Sequence, residues 1–268
     1  MKLTLPLLKN FLRKQVNSPK RNTPGLTRDL FLGGKVILWQ SAEGYRAGID
    51  AVLLATSIKP KESQKILDLG CGAGAVSLCV LANHPNVSVT GLEIMEDTVD
   101  VAKLNAEENN FELNFRPMLG SIADMPPTIE KKSFDLVLSN PPYAVNGTTN
   151  FSSNIQKKVA HVETDTTIEI WIKVAAAALK HKGIISLIHR ADRLDHLLSV
   201  LRLYFGGIII HPLWPKSGHK ANRILIKAKK GSRAPTILTA GSTIHMDDGS
   251  YTPEIDSVLR GRSLLTVE

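Results

Sequence analysis

The chain is poor in cysteine, in aromatic residues and in long hydrophobic runs. Two cysteines in 268 residues, Cys71 and Cys79, are too few for a disulfide framework and show no metal-ligand spacing. No apolar run approaches the roughly 18 residues that cross a bilayer. The N-terminus also lacks a clear signal-peptide cleavage site. These absences predict a cytoplasmic protein with no metal and no membrane partner. An aromatic content of 5%, although small, is still ordinary for a globular chain.

Positive charge is abundant and unevenly placed. The net charge is +8; residues 1–35 contain eight Lys/Arg and one acid, and residues 196–246 contain eight Lys/Arg and none. Such segregation is typical of a surface that binds a phosphate backbone. A solvated surface that only keeps the chain soluble is the alternative, and charge alone does not decide between the two.

The stretch Ile66–Gly74 has the pattern of a short apolar strand, a glycine-rich turn and a helix over Ala75–Leu81. Such turns aim backbone N–H groups and a positive helix end at a ligand. Dinucleotides and S-adenosylmethionine (SAM) are both bound in this way. Asp68, at the tip of the strand, would repel a pyrophosphate but suits an ammonium group. Asp-x-Gly-x-Gly-x-Gly resembles the first motif of SAM-dependent methyltransferases, which implies cofactor contacts from Asp68, Gly70, Cys71, Gly72 and Gly74.

Two later strand ends extend the predicted cofactor site. Glu93 follows the strand Val87–Leu92 at the distance from the glycine turn expected for a carboxylate that accepts ribose hydroxyls. A strand over Phe111–Leu119 then leads to Ser121, where many SAM enzymes place an acid that binds the adenine amine. Either Asp124 substitutes for that acid, or backbone groups around Ile122 recognise the adenine.

The strand Phe134–Ser139 ends in Asn140-Pro141-Pro142-Tyr143. The prolines end the strand and leave the Pro141 carbonyl without a neighbouring N–H. The Asn140 side-chain oxygen and that carbonyl can accept two hydrogen bonds from one planar amine, whose lone pair is thereby directed at a sulfonium methyl. Tyr143 offers a flat face on which a flipped base can stack. The sequence therefore predicts a methyl-transfer site at this strand end.

The motif resembles that of the Asn-Pro-Pro-Tyr amino-methyltransferases, which act on adenine N6 in DNA and RNA or on release-factor glutamine. Residues 44–55 and 251–260 are similar to signatures of a narrower group, the bacterial valine-tRNA adenine-37 N6-methyltransferase family. This resemblance implies an α/β fold with a doubly wound, mostly parallel seven-stranded sheet and an antiparallel final strand. It also implies SAM as cofactor and tRNA as partner. Tyr45 and Arg46 are candidates to close over the cofactor site, and Asp50 is either a cofactor residue or the N-cap of the helix Ala51–Ile58. The family's Ala-Arg-His-Glu is replaced by Ala160-His161-Val162-Glu163, which leaves His161 and Glu163 without an assigned role.

The predicted organisation is a flexible basic arm over residues 1–28 and a methyltransferase domain over 29–268. The arm is followed by a strand or hairpin around Gly33-Gly34, and a mobile loop is predicted over 144–158. Further elements are predicted at Ala51–Ile58, 97–109, 164–181, 183–189, 194–205, 207–211 and 222–229. Between the last two, a loop over 212–220 joins Trp214 to Lys216 and Lys220. With Arg223 these residues suit unpaired RNA, although Trp214 packing on the sheet is an equal alternative.

Three other functions share parts of this pattern. A protein glutamine methyltransferase would use the same Asn140–Tyr143 chemistry but has no need of two strongly basic zones. A nicotinamide-dependent oxidoreductase shares the glycine turn, yet Asp68 and Asn-Pro-Pro-Tyr argue against it. A non-catalytic RNA-binding module would keep the fold and bind no cofactor.

Overall fold

The computed structural model describes residues 23–43, 46–141 and 167–267. Predictions for Tyr45, Pro142, Tyr143, His161 and Glu163 therefore fall outside the described residues. So do those for the loop 144–158 and for most of the basic arm. The arm boundary predicted at residue 28 is wrong, because residues 26–28 already belong to a strand.

The chain begins with a hairpin and continues as an alternation of strands and helices. The strands are β1 (Leu26–Phe31), β2 (Val36–Ser41), β3 (Lys65–Leu69), β4 (Ser88–Glu93), β5 (Phe115–Leu119), β6 (Phe134–Ser139), β7 (Leu179–Arg190), β8 (Phe205–Trp214), β9 (Arg223–Lys230), β10 (Ile237–Leu238) and β11 (Ser242–Thr243). The helices are α1 (Ile49–Thr56), α2 (Ala75–Asn83), α3 (Glu96–Glu108), α4 (Ile168–Ala178), α5 (Leu194–Leu201) and α6 (Pro253–Leu259), with short 3-10 turns at Leu32–Gly34 and Ala191–Arg193.

Seven strands form the main sheet in the order β5-β4-β3-β6-β7-β9-β8. The first five are parallel, and β9 runs antiparallel to both of its neighbours. The predicted fold class is confirmed, as is the hairpin, whose strands β1 and β2 pair outside this sheet. The two-residue strands β10 and β11, which were not predicted, pair with β8 at the edge.

The sheet is buried on both faces, as expected for parallel strands joined by helices. Ile66 of β3 packs in one core cluster with α1, α2, α3, α6 and the hairpin, whereas its neighbour Leu67 packs in a second cluster with α4 and α5. Successive side chains of a strand point to opposite faces, so two apolar layers sandwich the sheet. None of the helices in the described part is long and apolar enough to cross a membrane.

Several predicted boundaries are wrong because tertiary pairing competes with local pattern. Residues 111–114 form a turn, so β5 begins only at Phe115, and its Pro117 is tolerated because β5 is an edge strand. Helix α4 ends at Ala178 rather than His181, since Leu179 already pairs with Phe134 of β6.

Helix α5 also ends early, at Leu201, and β8 begins at Phe205. That strand runs on to Trp214, so residues 212–214, predicted as the start of a loop, belong to the sheet. Pro212 and Leu213 pair with Ile224 and Arg223 of β9, and Trp214 pairs with Thr243 of β11.

Candidate active site

The carboxyl ends of β3 and β6 lie side by side at the point where the strand order reverses. Leu69 pairs with Ser139, and the Ser139 hydroxyl donates a 3.0 Å hydrogen bond to the Leu69 carbonyl. Gly70 and Asn140 therefore leave neighbouring strands at the same edge of the sheet. In open α/β sheets this crevice is where ligands bind, so the structure brings the two predicted motifs together.

The glycine turn is built around three left-handed residues, Gly70, Gly72 and Gly74, with φ of 68°, 55° and 90°. A Cβ on Gly70 would lie 2.5 Å from the Trp171 ring, and one on Gly74 would lie 2.6 Å from the Phe115 ring. A Cβ on Gly72 would meet nothing within 4 Å. Gly70 and Gly74 are thus required by packing, while Gly72 faces open space where a ligand can approach the backbone.

Glu93 fastens this turn to the end of β4. Its Oε2 accepts the N–H of Gly72 at 3.1 Å, and its Oε1 accepts the N–H groups of Ile94 and Met95 at 2.8 and 2.9 Å. A carboxylate offers about four acceptor positions, so capacity for a ligand hydroxyl is left. The predicted position of Glu93 beside the turn is confirmed, and its contact with ribose stays a prediction.

Asp68 lies beneath the turn rather than exposed at the strand tip. Its side chain is 1% exposed, and the Ser77 hydroxyl of α2 donates to Oδ2 at 2.7 Å. Burial raises the pKa of Asp68 to about 7; the Ser77 hydrogen bonds oppose this shift, and the nearby Glu93 adds to it.

The negative field of these two carboxylates extends to Cys71. Burial, followed by Asp68 and Glu93, raises the pKa of the Cys71 thiol well above its usual range. The Sγ atom would lie 2.6 Å from a Cβ on Gly91, so the thiol is packed inward. A contact between Cys71 and a ligand would therefore come from its backbone.

Two carboxylates at one turn fit a cofactor that carries positive charge. SAM has a sulfonium and an ammonium group, whereas a dinucleotide would bring a pyrophosphate against Asp68 and Glu93. The open side of Gly72 provides the backbone surface that such a cofactor needs. Among the described residues, no group of three or more His, Cys, Asp or Glu side chains is arranged to hold a metal ion.

The segment predicted to bind adenine follows β5. The Ser121 hydroxyl accepts the N–H of Ala123 at 3.2 Å, which closes a local turn. Ile122 is buried against the second core cluster, and Asp124 is exposed. The choice between Asp124 and the backbone around Ile122 stays a prediction.

Arg46 and Asp50 make contacts that the sequence did not reveal. The Arg46 guanidinium lies on the hairpin, where Nη2 is 2.5 Å from Oδ2 of Asp29. Asp50 does not cap α1, because the helix begins at Ile49, two residues before the predicted start, with Gly48 at the N-cap position. Its carboxylate instead forms an ion pair of 3.1 Å with Arg223 of β9. Cofactor roles for Arg46 and Asp50, and a substrate role for Arg223, remain predictions.

Two of the predicted substrate residues at and after the end of β8 already have intramolecular contacts. The Trp214 indole N–H donates to the Ala240 carbonyl at 3.0 Å, and Lys216 Nζ donates to the Asp247 carbonyl at 2.9 Å. Lys220 is exposed. These contacts place Trp214 and Lys216 beside the C-terminal segment, and their role towards a substrate is still a prediction.

Sequence reasoning missed two residues that shape the turn from outside. Trp171 of α4 covers Gly70, and Asn105 of α3 donates to the Ala73 carbonyl at 2.9 Å. Asn105 is fully buried on an apolar helix face, and a polar residue in such a stripe is the signal that could have marked it.

Comparisons with known proteins agree with this geometry. The family model of the methyltransferase small domain matches residues 46–206. A tRNA1(Val) (adenine(37)-N6)-methyltransferase of Pedobacter heparinus is 29% identical over 171 residues, which cover 64% of this chain and 71% of that protein. A release factor glutamine methyltransferase of Aliivibrio fischeri is 40% identical over 82 residues, 30% of this chain and 28% of that protein.

One solved structure is similar over nearly its whole length. A crystal structure of a predicted O-methyltransferase from Agrobacterium tumefaciens aligns with a TM-score of 0.68 and 26% sequence identity, covering 81% of this chain and 98% of that one. The glycine turn at the switch point and the adjacent Asn-Pro strand end lie within the matched family region. The chain therefore belongs to the methyltransferase small domain family and is a SAM-dependent methyltransferase.

Proposed function

We propose that this enzyme methylates the exocyclic N6 amine of an adenine in RNA, with tRNA as the substrate. The observation that carries the proposal is the position of Asn140 and Pro141, which follow β6 directly beside the glycine turn. Paired acceptors at this place suit an amine that is held by both of its protons. The relative from Pedobacter heparinus, named as a tRNA adenine-N6 enzyme, supports the choice of substrate.

The cofactor supplies an electrophilic methyl group on a positively charged sulfur. In the proposed site, Asp68 and Glu93 favour the cationic cofactor, and the Gly72 backbone allows its close approach. The Asn140 amide oxygen and the Pro141 carbonyl accept the two amine protons and orient the nitrogen lone pair. When bound, the cofactor would supply the methyl group for a new N–CH₃ bond in exchange for its S–CH₃ bond, and one amine proton would pass to solvent. The positive charge on sulfur is consumed, so no strong base is needed.

The charge distribution supports a nucleic-acid substrate. Residues 196–246, all of them described, contain eight Lys/Arg and no acid, and Arg202, Lys220, Lys229 and Arg233 are exposed. A polyphosphate backbone is attracted to such a surface, and attraction of this kind weakens with salt. Together with the second basic zone at residues 1–35, this surface favours tRNA, and with it action in the cytoplasm.

Protein glutamine methylation is the second candidate. The relative from Aliivibrio fischeri, a release factor enzyme, favours it because identity reaches 40% over the matched 82 residues. A glutamine side-chain amide is also a planar NH₂ group that Asn140 and Pro141 can hold. A glutamine substrate carries no phosphates, however, so it would not account for the basic surface.

Labelled SAM would decide between these substrates. The purified enzyme is incubated with total tRNA or with release factors, and the tRNA is digested to nucleosides for chromatography. We expect label in N6-methyladenosine; label in the release factor alone would contradict the proposal. Asn140→Ala should lower turnover about 100-fold while SAM binding is retained. Asn86→Ala, on the surface, serves as the matched control.

A further inference from the structure

A groove of about 260 Å³ opens at the end of the sheet where the parallel strands begin, opposite to the active site at their carboxyl ends. Its walls come from the chain after α1 and from the ends of β6, β7 and β9 at that edge. The lining residues are Ile58, Lys59, Lys61, Gln64, Asp135, Leu136, Lys180, His181, Lys182, Gly183, Ile184 and Lys227. Strand β6 connects the two edges, and five residues at about 3.3 Å each separate Asp135 in the groove from Asn140 by roughly 17 Å.

The groove is strongly basic. Five lysines and one histidine line it against a single carboxylate, Asp135. That carboxylate is already engaged, because Lys180 Nζ lies 2.7 Å from Oδ1 and the Lys65 N–H donates to Oδ2 at 2.9 Å. Within the described part of the chain, Lys61 and Lys182 have no carboxylate partner. The neighbouring Glu62 accepts a hydrogen bond from Asn86 on the surface.

An irregularity in β7 concentrates this charge. In a regular strand, successive side chains point to opposite faces, so Lys180, His181 and Lys182 would not all reach one groove. Here the pairing of β6 with β7 shifts between Phe134 and Leu136, and Lys182 has a left-handed φ of 63°. All three basic residues consequently line the groove. A non-glycine residue held in this conformation at a functional surface is a recurring arrangement.

We propose that this groove binds phosphates of the RNA backbone, as a second contact remote from the transferred methyl group; the assignment rests on the proposed function. Lysines bind phosphate as point charges. Apart from the His181 imidazole, the lining contains no aromatic ring on which a base could stack. The groove therefore suits backbone contacts that position RNA rather than contacts that read bases.

The test uses the full chain with Lys61→Gln and Lys182→Asn combined, since asparagine tolerates the left-handed backbone. The control combines Lys103→Gln and Lys173→Gln. These substitutions remove the same amount of charge from two exposed lysines on α3 and α4. Affinity for tRNA is measured over a series of KCl concentrations, and SAM binding is measured by calorimetry. We expect weaker tRNA binding and a salt slope reduced by roughly 1 to 2 in the groove variant. SAM binding should be unchanged, and the control should keep the wild-type slope.

Inorganic phosphate serves as the second probe. If phosphate shifts backbone amide resonances of the groove while the groove variant keeps the wild-type tRNA slope, the site takes free phosphate and the RNA assignment is overturned. If the wild type methylates tRNA and the variant matches it in affinity and slope, the groove proposal alone fails. A wild-type enzyme that binds no tRNA at any salt concentration would refute the proposed function and the groove together.

Discussion

Asn105 binds both backbone groups of Trp39: its Oδ1 accepts the Trp39 N–H at 2.7 Å, and its Nδ2 donates to the Trp39 carbonyl at 2.9 Å. Asn109 does the same for Ile37, at 2.8 and 2.6 Å. Four residues of a helix advance about 6 Å and two residues of a strand about 6.6 Å, so the two spacings match. Helix α3 thus holds β2 as a neighbouring strand would. Asn105 also supports Ala73 in the glycine turn, which couples the hairpin to the cofactor site.

Removing the Asn105 amide should loosen hairpin and turn together. Asn105→Ala leaves the N–H and carbonyl of Trp39 and the Ala73 carbonyl without these partners, and each buried unpaired group costs about 1–3 kcal/mol. We expect lower thermal stability and weaker SAM binding. Asn86→Ala, which removes one exposed side-chain contact, should change both by little. Equal effects of the two substitutions would refute the coupling.

Asp68 should make the cofactor-free enzyme less stable as pH rises. Its pKa is about 7 in the folded state and about 3.9 when unfolded, so the folded state binds the proton more tightly. The contribution of Asp68 to stability should therefore be greatest below pH 4, fall from pH 4 to 7 and level off above that. At about 1.4 kcal/mol per pKa unit, the loss is about 4 kcal/mol.

Asp68→Asn should remove this dependence, and the variant should be the more stable protein at pH 8. Urea denaturation without cofactor at pH 5 and pH 8 measures the difference. Asp124→Asn, at an exposed carboxylate, is the control and should leave the pH profile unchanged. A profile that is the same for Asp68→Asn and the wild type would contradict the raised pKa.

SAM binding should have the opposite dependence on pH. A cationic cofactor favours ionised Asp68, so affinity should rise with pH up to about 7, by at most tenfold per unit. Above about pH 8 it should fall again, as the cofactor's own amine loses its proton. Calorimetric titrations from pH 5.5 to 9 measure this, and Asp68→Asn should lose the rising limb while keeping the falling one.

Gly70 and Gly72 should respond differently to a methyl group. Both have left-handed φ, so alanine costs each about 1 kcal/mol of backbone strain. Gly70→Ala additionally brings its Cβ to 2.5 Å from the Trp171 ring, and overpacking costs about 1–3 kcal/mol more. Chemical denaturation should therefore show the larger loss for Gly70→Ala. Gly72→Ala should chiefly weaken SAM binding, because its Cβ extends into the open space where the cofactor would approach the backbone. The reverse ranking of the two variants would contradict these assignments.

Sequence predicts those parts of the fold that have local signals. The apolar strand before Gly70, the position of Glu93 at a strand end and the end of β6 just before Asn140 each depend on neighbours in the chain, and their placement in the fold is confirmed. The end of α4 could not be predicted, because the alanine run at 175–178 continues a helical pattern that only pairing with β6 interrupts.

The partners of individual side chains were the feature of the fold that was hardest to predict from the sequence. The Asp50 carboxylate is drawn to Arg223, 173 residues later in the chain, and this long-range ion pair replaces the predicted cap. Asn105 and Trp171 act on the glycine turn from other elements, and no local pattern specifies which residue they will meet. Tertiary packing decides these contacts after the local elements have formed.

The position of β9 between β7 and β8 has a consequence for the nascent chain. Strands β3 to β7 can pair in parallel as they leave the ribosome, so the half that contains the glycine turn can assemble first. The outer edge of β7 stays open until Arg223–Lys230 has been synthesised. Open strand edges recruit other chains, and charged edge residues discourage this. Lys180 and Lys182 lie at the end of this open edge of β7, where their charge can discourage pairing with other chains before β9 has formed.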